Sequence, residues 1–154
     1  MAVEMDVIYS KVLDRYIVIE FHTKLNSLRF VPPGNQLKEK KTNDASFELE
    51  SYFNGRLTDF SSVVDLSHLS AFEQEVLTQT RKIKYGKTIT YSQLAEKIGS
   101  RAYRAVGNAL SKNPVPIIIP CHRVVAKNGI GGYSQGLDIK TRLLELEKRN
   151  LNNL

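Results

Sequence analysis

Apolar and polar positions alternate through residues 6–31, DVIYSKVLDRYIVIEFHTKLNSLRFV, in three short stretches rich in Val, Ile, Tyr and Phe, with breaks at Leu13-Asp14 and Asn26-Ser27. Short runs of this kind separated by polar breaks predict an antiparallel meander. PPGNQLKEKKTND opens on chain breakers and continues as a charged run, so it reads as a loop. In ASFELESYFNGR the spacing of Phe47, Leu49, Tyr52 and Phe53 predicts one helical stripe, stopped by Asn54-Gly55. Residues 57–69 read as a connector.

The pattern changes at Ser70, which stands at capping-box spacing from Glu73, ahead of Phe72, Val76 and Leu77. This predicts a helix start and the start of a second domain. KTITYSQLAEKIGSRAYRAVGNALSKNP then predicts two helices, from about Tyr91 to Ile98 and about Arg101 to Leu110, on either side of a Gly99-Ser100 turn. That is the helix-turn-helix pattern, although such hairpins also serve purely structural ends. Ala102, Ala105, Gly107 and Ala109 give the second helix a small-residue surface able to approach a duplex, with Arg101 and Arg104 at its start. Prolines at 114, 116 and 120 make any strand before Cys121 short and interrupted. KNGIGG reads as a flexible connector, and LDIKTRLLELEKRN as a last helix turning Ile139, Leu143, Leu144 and Leu146 to the core. The fold class is α+β: a strand-rich unit over 1–69 and a mostly helical unit over 70–154.

Charge sharpens that division. Residues 1–69 hold 8 Lys and Arg against 10 Asp and Glu, a net −2, whereas residues 70–154 hold 14 against 6, a net +8. A basic half joined to a mildly acidic one suits a polyanion partner bound mainly by the C-terminal unit, or simply a soluble basic surface. No apolar stretch approaches the roughly 20 residues that cross a bilayer, and MAVEMDVIYSK lacks the pattern of a secretion signal. A cytoplasmic protein with no membrane partner is expected.

The single cysteine excludes an intramolecular disulfide and the multi-cysteine zinc sites of small nucleic-acid-binding domains. His22 and His68 have no cysteine partners, so no metal is expected. Cys121 lies in PIIIPCHRVV. Two readings stay open for it: an inert buried residue, as free cysteines often are, or a nucleophile whose proton His122 accepts and whose histidine a carboxylate orients. Neighbouring residues of a regular strand point to opposite faces, so a direct thiol–imidazole contact needs a bend after Pro120 or a bridging water.

ITYSQLAEKIG, RAVGNALSKNPVPIIIPCHRVV, GGYSQG and KTRLLELE, in that order, resemble the O6-alkylguanine-DNA alkyltransferases, also called methylated-DNA–protein-cysteine methyltransferases. PCHRV after NPVPIIIP is a highly specific signature, and the resemblance covers nearly all of the basic half. It implies an RNase H-like domain over 1–69 and a DNA-binding, alkyl-transfer domain over 70–154. It further implies a monomer that repairs double-stranded DNA by moving an alkyl group from O6 of guanine, or O4 of thymine, to Cys121, without a cofactor. The resulting thioether has no good leaving group, so each molecule acts once.

Carried onto this chain, the resemblance gives Cys121 as acceptor, held as an anion, and His122 as the base taking its proton through water. Glu147 orients and stabilises the imidazolium. Tyr91 donates to N3 of the departing guanine and presses on a phosphate. Asn113 ties the recognition helix to the active-site strand. Tyr133 and Ser134 form a lid over the base, with main-chain carbonyls near Cys121 and Val124 accepting from its exocyclic amine. O6 cannot be reached inside the stack, so the nucleotide must be flipped outward. Arg104 is implied to fill the vacated space, with Ala105 against the minor groove. Ser92, Ser100 and Lys127 are implied phosphate contacts. Two other readings are a non-catalytic alkyltransferase-like damage binder and a helix-turn-helix regulator. The acceptor cysteine opposes the first, and the lack of a dimerisation helix opposes the second.

Overall fold

The alternation in the first 31 positions builds an antiparallel three-stranded sheet in a computed structural model that describes residues 2–152. Met1, Asn153 and Leu154, at the ends of the two expected units, lie outside the described residues. Strands β1 (Glu4–Ser10), β2 (Arg15–Phe21) and β3 (Leu25–Val31) pair in order, Val7 facing Val18 and Ile19 facing Leu28. The central strand buries Ile17, Val18 and Ile19 in succession, as a strand covered on both faces must. The second turn falls at His22–Lys24, so Asn26 and Ser27 lie inside β3 and not at its break. Long-range pairing moves the boundary: Leu25 N–H donates to the Val63 carbonyl at 2.9 Å and its own carbonyl accepts from Asp65 N–H at 2.8 Å.

Helix α1 (Asp44–Phe53) starts at Asn43, whose side chain accepts from Ala45 N–H, a regular N-cap. Its buried face runs through Ala45, Ser46, Leu49 and Tyr52. Phe47, expected on that stripe, lies on the opposite side and is half exposed, its ring 5.9 Å from Lys41 Nζ. Buried Asp6 fixes the start of the helix to β1, accepting from Thr42 N–H, Asn43 N–H and the Thr42 and Ser46 hydroxyls at 2.6–2.8 Å.

Helix α2 (Ala71–Arg81) carries the expected capping box of Ser70 and Glu73. A two-residue strand β4 (Ile89–Thr90) runs directly into α3 (Tyr91–Lys97), followed by α4 (Tyr103–Ser111). Helix α4 begins two residues later than its composition suggests, because the Ser100 hydroxyl accepts from Ala102 N–H at 3.0 Å and shapes a turn there. Helices α2, α3 and α4 pack on one another. Strand β5 (Val124–Val125) pairs parallel with β4, and α5 (Leu137–Leu151) closes the chain. The core face of α5 carries Ile139, Leu143 and Leu146 with Lys140 and Glu147, while Leu144 is only half buried. These positions recur at helical spacing, so the same face that fills the core delivers two charges into it. No helix among the described residues is long and apolar enough to cross a membrane.

Candidate active site

Residues 113–120 do not form a strand before Cys121. Ile117 adopts φ 76, a left-handed conformation that is an outlier for a β-branched side chain, and Ile119 N–H turns back to the Val115 carbonyl at 3.0 Å. Pro120 then leads into a 3-10 turn over Cys121–Arg123. This supplies the bend that neighbouring thiol and imidazole require. Cys121 stays partly open, whereas His122 and Arg123 turn inward and are buried. Asn113 fastens the loop: its amide donates to the Ile119 carbonyl at 2.8 Å and its carbonyl accepts from Val115 N–H at 2.9 Å.

The thiol opens onto a cavity of about 280 Å³ lined by Tyr91, Gly107, Leu110, Ser111, Cys121, Gly132, Tyr133 and Ser134. That volume lies at the small end of ligand pockets, which begin near roughly 300 Å³. The pairing of β4 with β5 explains why Tyr91 is there, since it sets the first residue of α3 beside the segment that follows Cys121. The opposite wall is a strap over residues 131–134. Buried Lys140 holds it, donating to the carbonyls of Gly132 at 2.9 Å and Val124 at 2.7 Å. Gly131, at φ 79, passes so close to Tyr91 that a β-carbon would lie 2.9 Å from the ring and hydroxyl, so only glycine fits. Val124 itself is buried outside the cavity lining, with its carbonyl already engaged by Lys140.

Behind the sulfur lies a closed polar cluster. His122 Nε2 stands 2.6 Å from Glu147 Oε2. A carboxylate only accepts, so Nε2 carries the hydrogen and the lone pair resides on Nδ1, which is buried with no partner. Glu147 further accepts from Arg123 Nε at 2.8 Å and Nη2 at 2.9 Å, from the Tyr52 hydroxyl at 2.6 Å and from Gly86 N–H at 3.2 Å. Arg123 spends its remaining reach on the Ile83 carbonyl at 2.7 Å and stacks 5.6 Å from the Tyr85 ring. Burial alone would raise Glu147, but His122 and Arg123 outweigh it and hold the carboxyl well below its ordinary range. Burial depresses His122, and Arg123 and Lys140 add to that against the support of Glu147. The imidazole is therefore neutral at rest and fit to act as a base.

The resting anion expected for the sulfur is opposed by burial. Burial raises the Cys121 thiol, only partly offset by the nearby Asn113 amide, Tyr133 hydroxyl and Lys140 ammonium. The Tyr133 hydroxyl completes no hydrogen bond, yet it is close enough to the sulfur to favour its charged form. Lys140 itself is lowered by burial to about 8. Burial also raises Tyr91 and Tyr133, so both keep their protons as donors. A thiol followed in the chain by a neutral buried base can ionise by passing its proton to that base, directly or through a water.

Comparison with known proteins gives this geometry a family. The family model described as "6-O-methylguanine DNA methyltransferase, DNA binding domain" matches residues 71–149. The Metallosphaera sedula protein named methylated-DNA--protein-cysteine methyltransferase is 49% identical over 100 residues, 65% of this chain and 64% of that one. Its namesake in Sulfolobus acidocaldarius is 44% identical over 111 residues, covering 72% of this chain and 70% of the other. This chain belongs to the methylated-DNA–protein-cysteine methyltransferase family. The fold agrees: the crystal structure of Mycobacterium tuberculosis O6-methylguanine methyltransferase matches with TM-score 0.82 at 34% identity, covering 97% of this chain and 94% of that one. A structure of the Mycobacterium tuberculosis protein in complex with DNA matches with TM-score 0.79 at 34% identity, over 94% and 92% of the two chains.

Within this family member the remaining candidates fall outside the cavity. Arg104 is exposed on the first turn of α4, Ala105 is half buried behind it, and Tyr103 stands half exposed beside it. Ser92 is exposed on α3, its hydroxyl 3.1 Å from that of Thr90. Ser100 lies in the turn before α4, and Lys127 is exposed in the loop after β5. Among the described residues no group of three His, Cys, Asp or Glu could hold a metal ion. The sequence pattern assigns no role to Arg123 or Tyr52 of the cluster, and to Lys140, which holds the strap, only a structural or exposed one. Arg123 was legible in principle as the fourth residue of PCHRV, and Lys140 as a charge on the apolar stripe of α5. Tyr52 gave no signal beyond its place on a helical stripe.

Proposed function

We propose that this protein repairs double-stranded DNA by a single-turnover transfer of an alkyl group from O6 of guanine, and also from O4 of thymine, to the sulfur of Cys121. The observation that carries this reading is the thiol at the floor of a small cavity with the His122–Glu147 pair closed behind it. The Cys121 proton passes through a water to His122 Nδ1, and the Nε2–H bond to Glu147 supports the imidazolium that forms. The sulfur attacks the alkyl carbon in line. The S–C bond forms as the C–O6 bond breaks, and its electron pair leaves with the guanine. Tyr91, which retains its proton, donates at N3 of that leaving group. The departing anion takes a proton from solvent as His122 releases the one it received, so guanine is restored, the protein keeps a thioether, and no cofactor or metal enters the balance.

Helices α3 and α4 act as a helix-turn-helix with α4 in the minor groove, where Gly107 and Ala105 permit close approach and Arg104 occupies the space of the everted nucleotide. Ser92, Ser100 and Lys127 meet phosphates. Tyr133 and Ser134 cover the base, and Asn113 links α4 to the acceptor loop. The free lone pairs of carbonyls near Cys121 and Val124 accept from the exocyclic amine. Residues 1–69 form a reduced RNase H-like unit and residues 70–154 the catalytic one. The protein works as a cytoplasmic monomer. Incubation with a duplex containing O6-methylguanine, followed by intact mass and peptide mapping, tests the reading. One added methyl on Cys121, capped at one per chain, is expected; unmodified protein that still binds the damaged duplex would overturn it.

A further inference from the structure

Glu147 is served by an element far from the acceptor loop. Tyr52, fully buried on α1, donates its hydroxyl to Glu147 Oε2 at 2.6 Å, the oxygen that also faces His122 Nε2. The two residues are 95 positions apart. We propose that Tyr52 is a positioning residue for alkyl transfer, through which the N-terminal unit sets the orientation and basicity of the His122–Glu147 pair. The inference rests on the reading of Cys121 as acceptor and His122 as its base.

Three observations support it. The hydroxyl cannot swing away, because the ring is clamped by Phe53, Phe60 and Tyr85 at centroid distances of 5.2, 5.6 and 6.0 Å. The helix bearing it is held at its start, where Asp6 ties its first turn to β1, and Gly55 just past its end lies against the Asn150 side chain of α5. The bond is also chemically directed. Tyr52 is surrounded by apolar rings and a carboxylate, so it keeps its proton and acts only as a donor.

The consequence concerns how much negative charge Glu147 presents to the imidazole. Oε2 receives three donors, from His122, Arg123 and Tyr52, while Oε1 receives Arg123 Nε and Gly86 N–H. Every donor that satisfies the carboxylate reduces its pull on the His122 proton. The other titratable or charged groups facing this pair are Tyr85 before β4 and Lys140 on α5. Neither of these donates to Glu147 among the described residues, so loss of the Tyr52 hydroxyl is not compensated from another element. Removing it leaves Oε2 one donor short, strengthens the remaining bond to Nε2–H and favours the imidazolium. His122 then stays protonated to higher pH, and less of it is free to act as a base on the acidic side of neutrality.

Tyr52→Phe keeps the ring and deletes the donor. Two readouts are compared with wild type: the NMR titration of the His122 imidazole, and single-turnover benzyl transfer from free O6-benzylguanine across pH, corrected for folded fraction. The expected result is an upward shift of the His122 midpoint by roughly half to one pH unit. A matching shift of the acidic limb of the rate profile should accompany it, with transfer about three- to tenfold slower at pH values below the wild-type midpoint. A variant that melts lower while both titrations superimpose on wild type would reduce Tyr52 to packing and overturn the inference. A wild-type protein that transfers no benzyl group to Cys121 would instead sink the acceptor reading, while the imidazole titration still decides whether Tyr52 acts on His122. Should Tyr52→Phe not fold, the wild type serves: a slowly exchanging Tyr52 hydroxyl proton close to His122 Nε2–H is expected, and its absence overturns the proposal.

Discussion

The cluster behind Cys121 and the outer face of α4 both carry positive side chains, and they treat them in opposite ways. Arg123 is buried, bonded through three nitrogens, and neutralised by Glu147. Arg104 is exposed, and none of the five ion pairs among the described residues uses it, Arg101 or Lys127. A buried charge must be compensated inside the protein, since an unpaired one is too costly to keep from water. A charge meant for a polyanion is useful only if left uncommitted until the partner arrives. The buried chemistry is thus preorganised in the fold, whereas the basic groups proposed to meet DNA stay uncommitted on the surface.

The sharpest way to separate the two regions is Cys121→Ala, which should abolish transfer by intact mass yet leave duplex binding within about twofold, because the thiol touches neither exposed arginine nor the outer face of α4. Next comes Glu147→Gln. It removes the charge facing buried Arg123, so transfer should be lost and stability should fall by about 3–5 kcal/mol, a drop in Tm of roughly 10 °C for a chain of this length. A thermal melt unchanged by that substitution would contradict the picture of a compensated buried cluster. Arg104→Ala should do the reverse: no change in melting, but a loss of about ten- to a hundredfold in duplex repair, roughly 1.4–2.8 kcal/mol. Reaction with free O6-benzylguanine should stay within about twofold, since no nucleotide need be everted. Equal losses on both substrates would place Arg104 in the chemistry and erase the contrast.

Acid tests the buried side alone. His122 sits below its ordinary value, so the unfolded chain takes up a proton near pH 6.5 that the folded chain refuses. Stability carried by the neutral imidazole is whole above about pH 6.5 and declines as the pH falls from there, because the unfolded state binds more protons in that window. Urea unfolding between about pH 5 and 7 should show this slope, and His122→Asn should flatten it. The smallest effect is expected of Lys127→Ala: duplex affinity should weaken uniformly across sequences, with a salt dependence shallower by about one phosphate contact.

What could be read in advance follows the range of the forces involved. The capping box at Ser70, the stripe on α2 and the three strands of the meander are decided by neighbours within a few residues, and they stand as the pattern says. Where a long-range partner intervened, the pattern misled. Asn26 and Ser27 joined β3 once Leu25 paired with the connector, and Phe47 left the core because Ala45, Leu49 and Tyr52 define the face turned to the sheet. A motif such as PCHRV names residues of the right chemistry, but not which atoms meet.

By itself the sequence determined the main helices and the three-stranded meander, the basic second half and the cysteine with its adjacent histidine, since each is a property of contiguous residues. Only the tertiary structure decided that Cys121 sits on a 3-10 turn after a left-handed isoleucine, that burial raises its thiol, and that one carboxylate collects donors from α1, the segment before β4 and the acceptor turn. Hydrogen bonding and desolvation act between groups brought together through space, and these groups are as many as 95 residues apart along the chain.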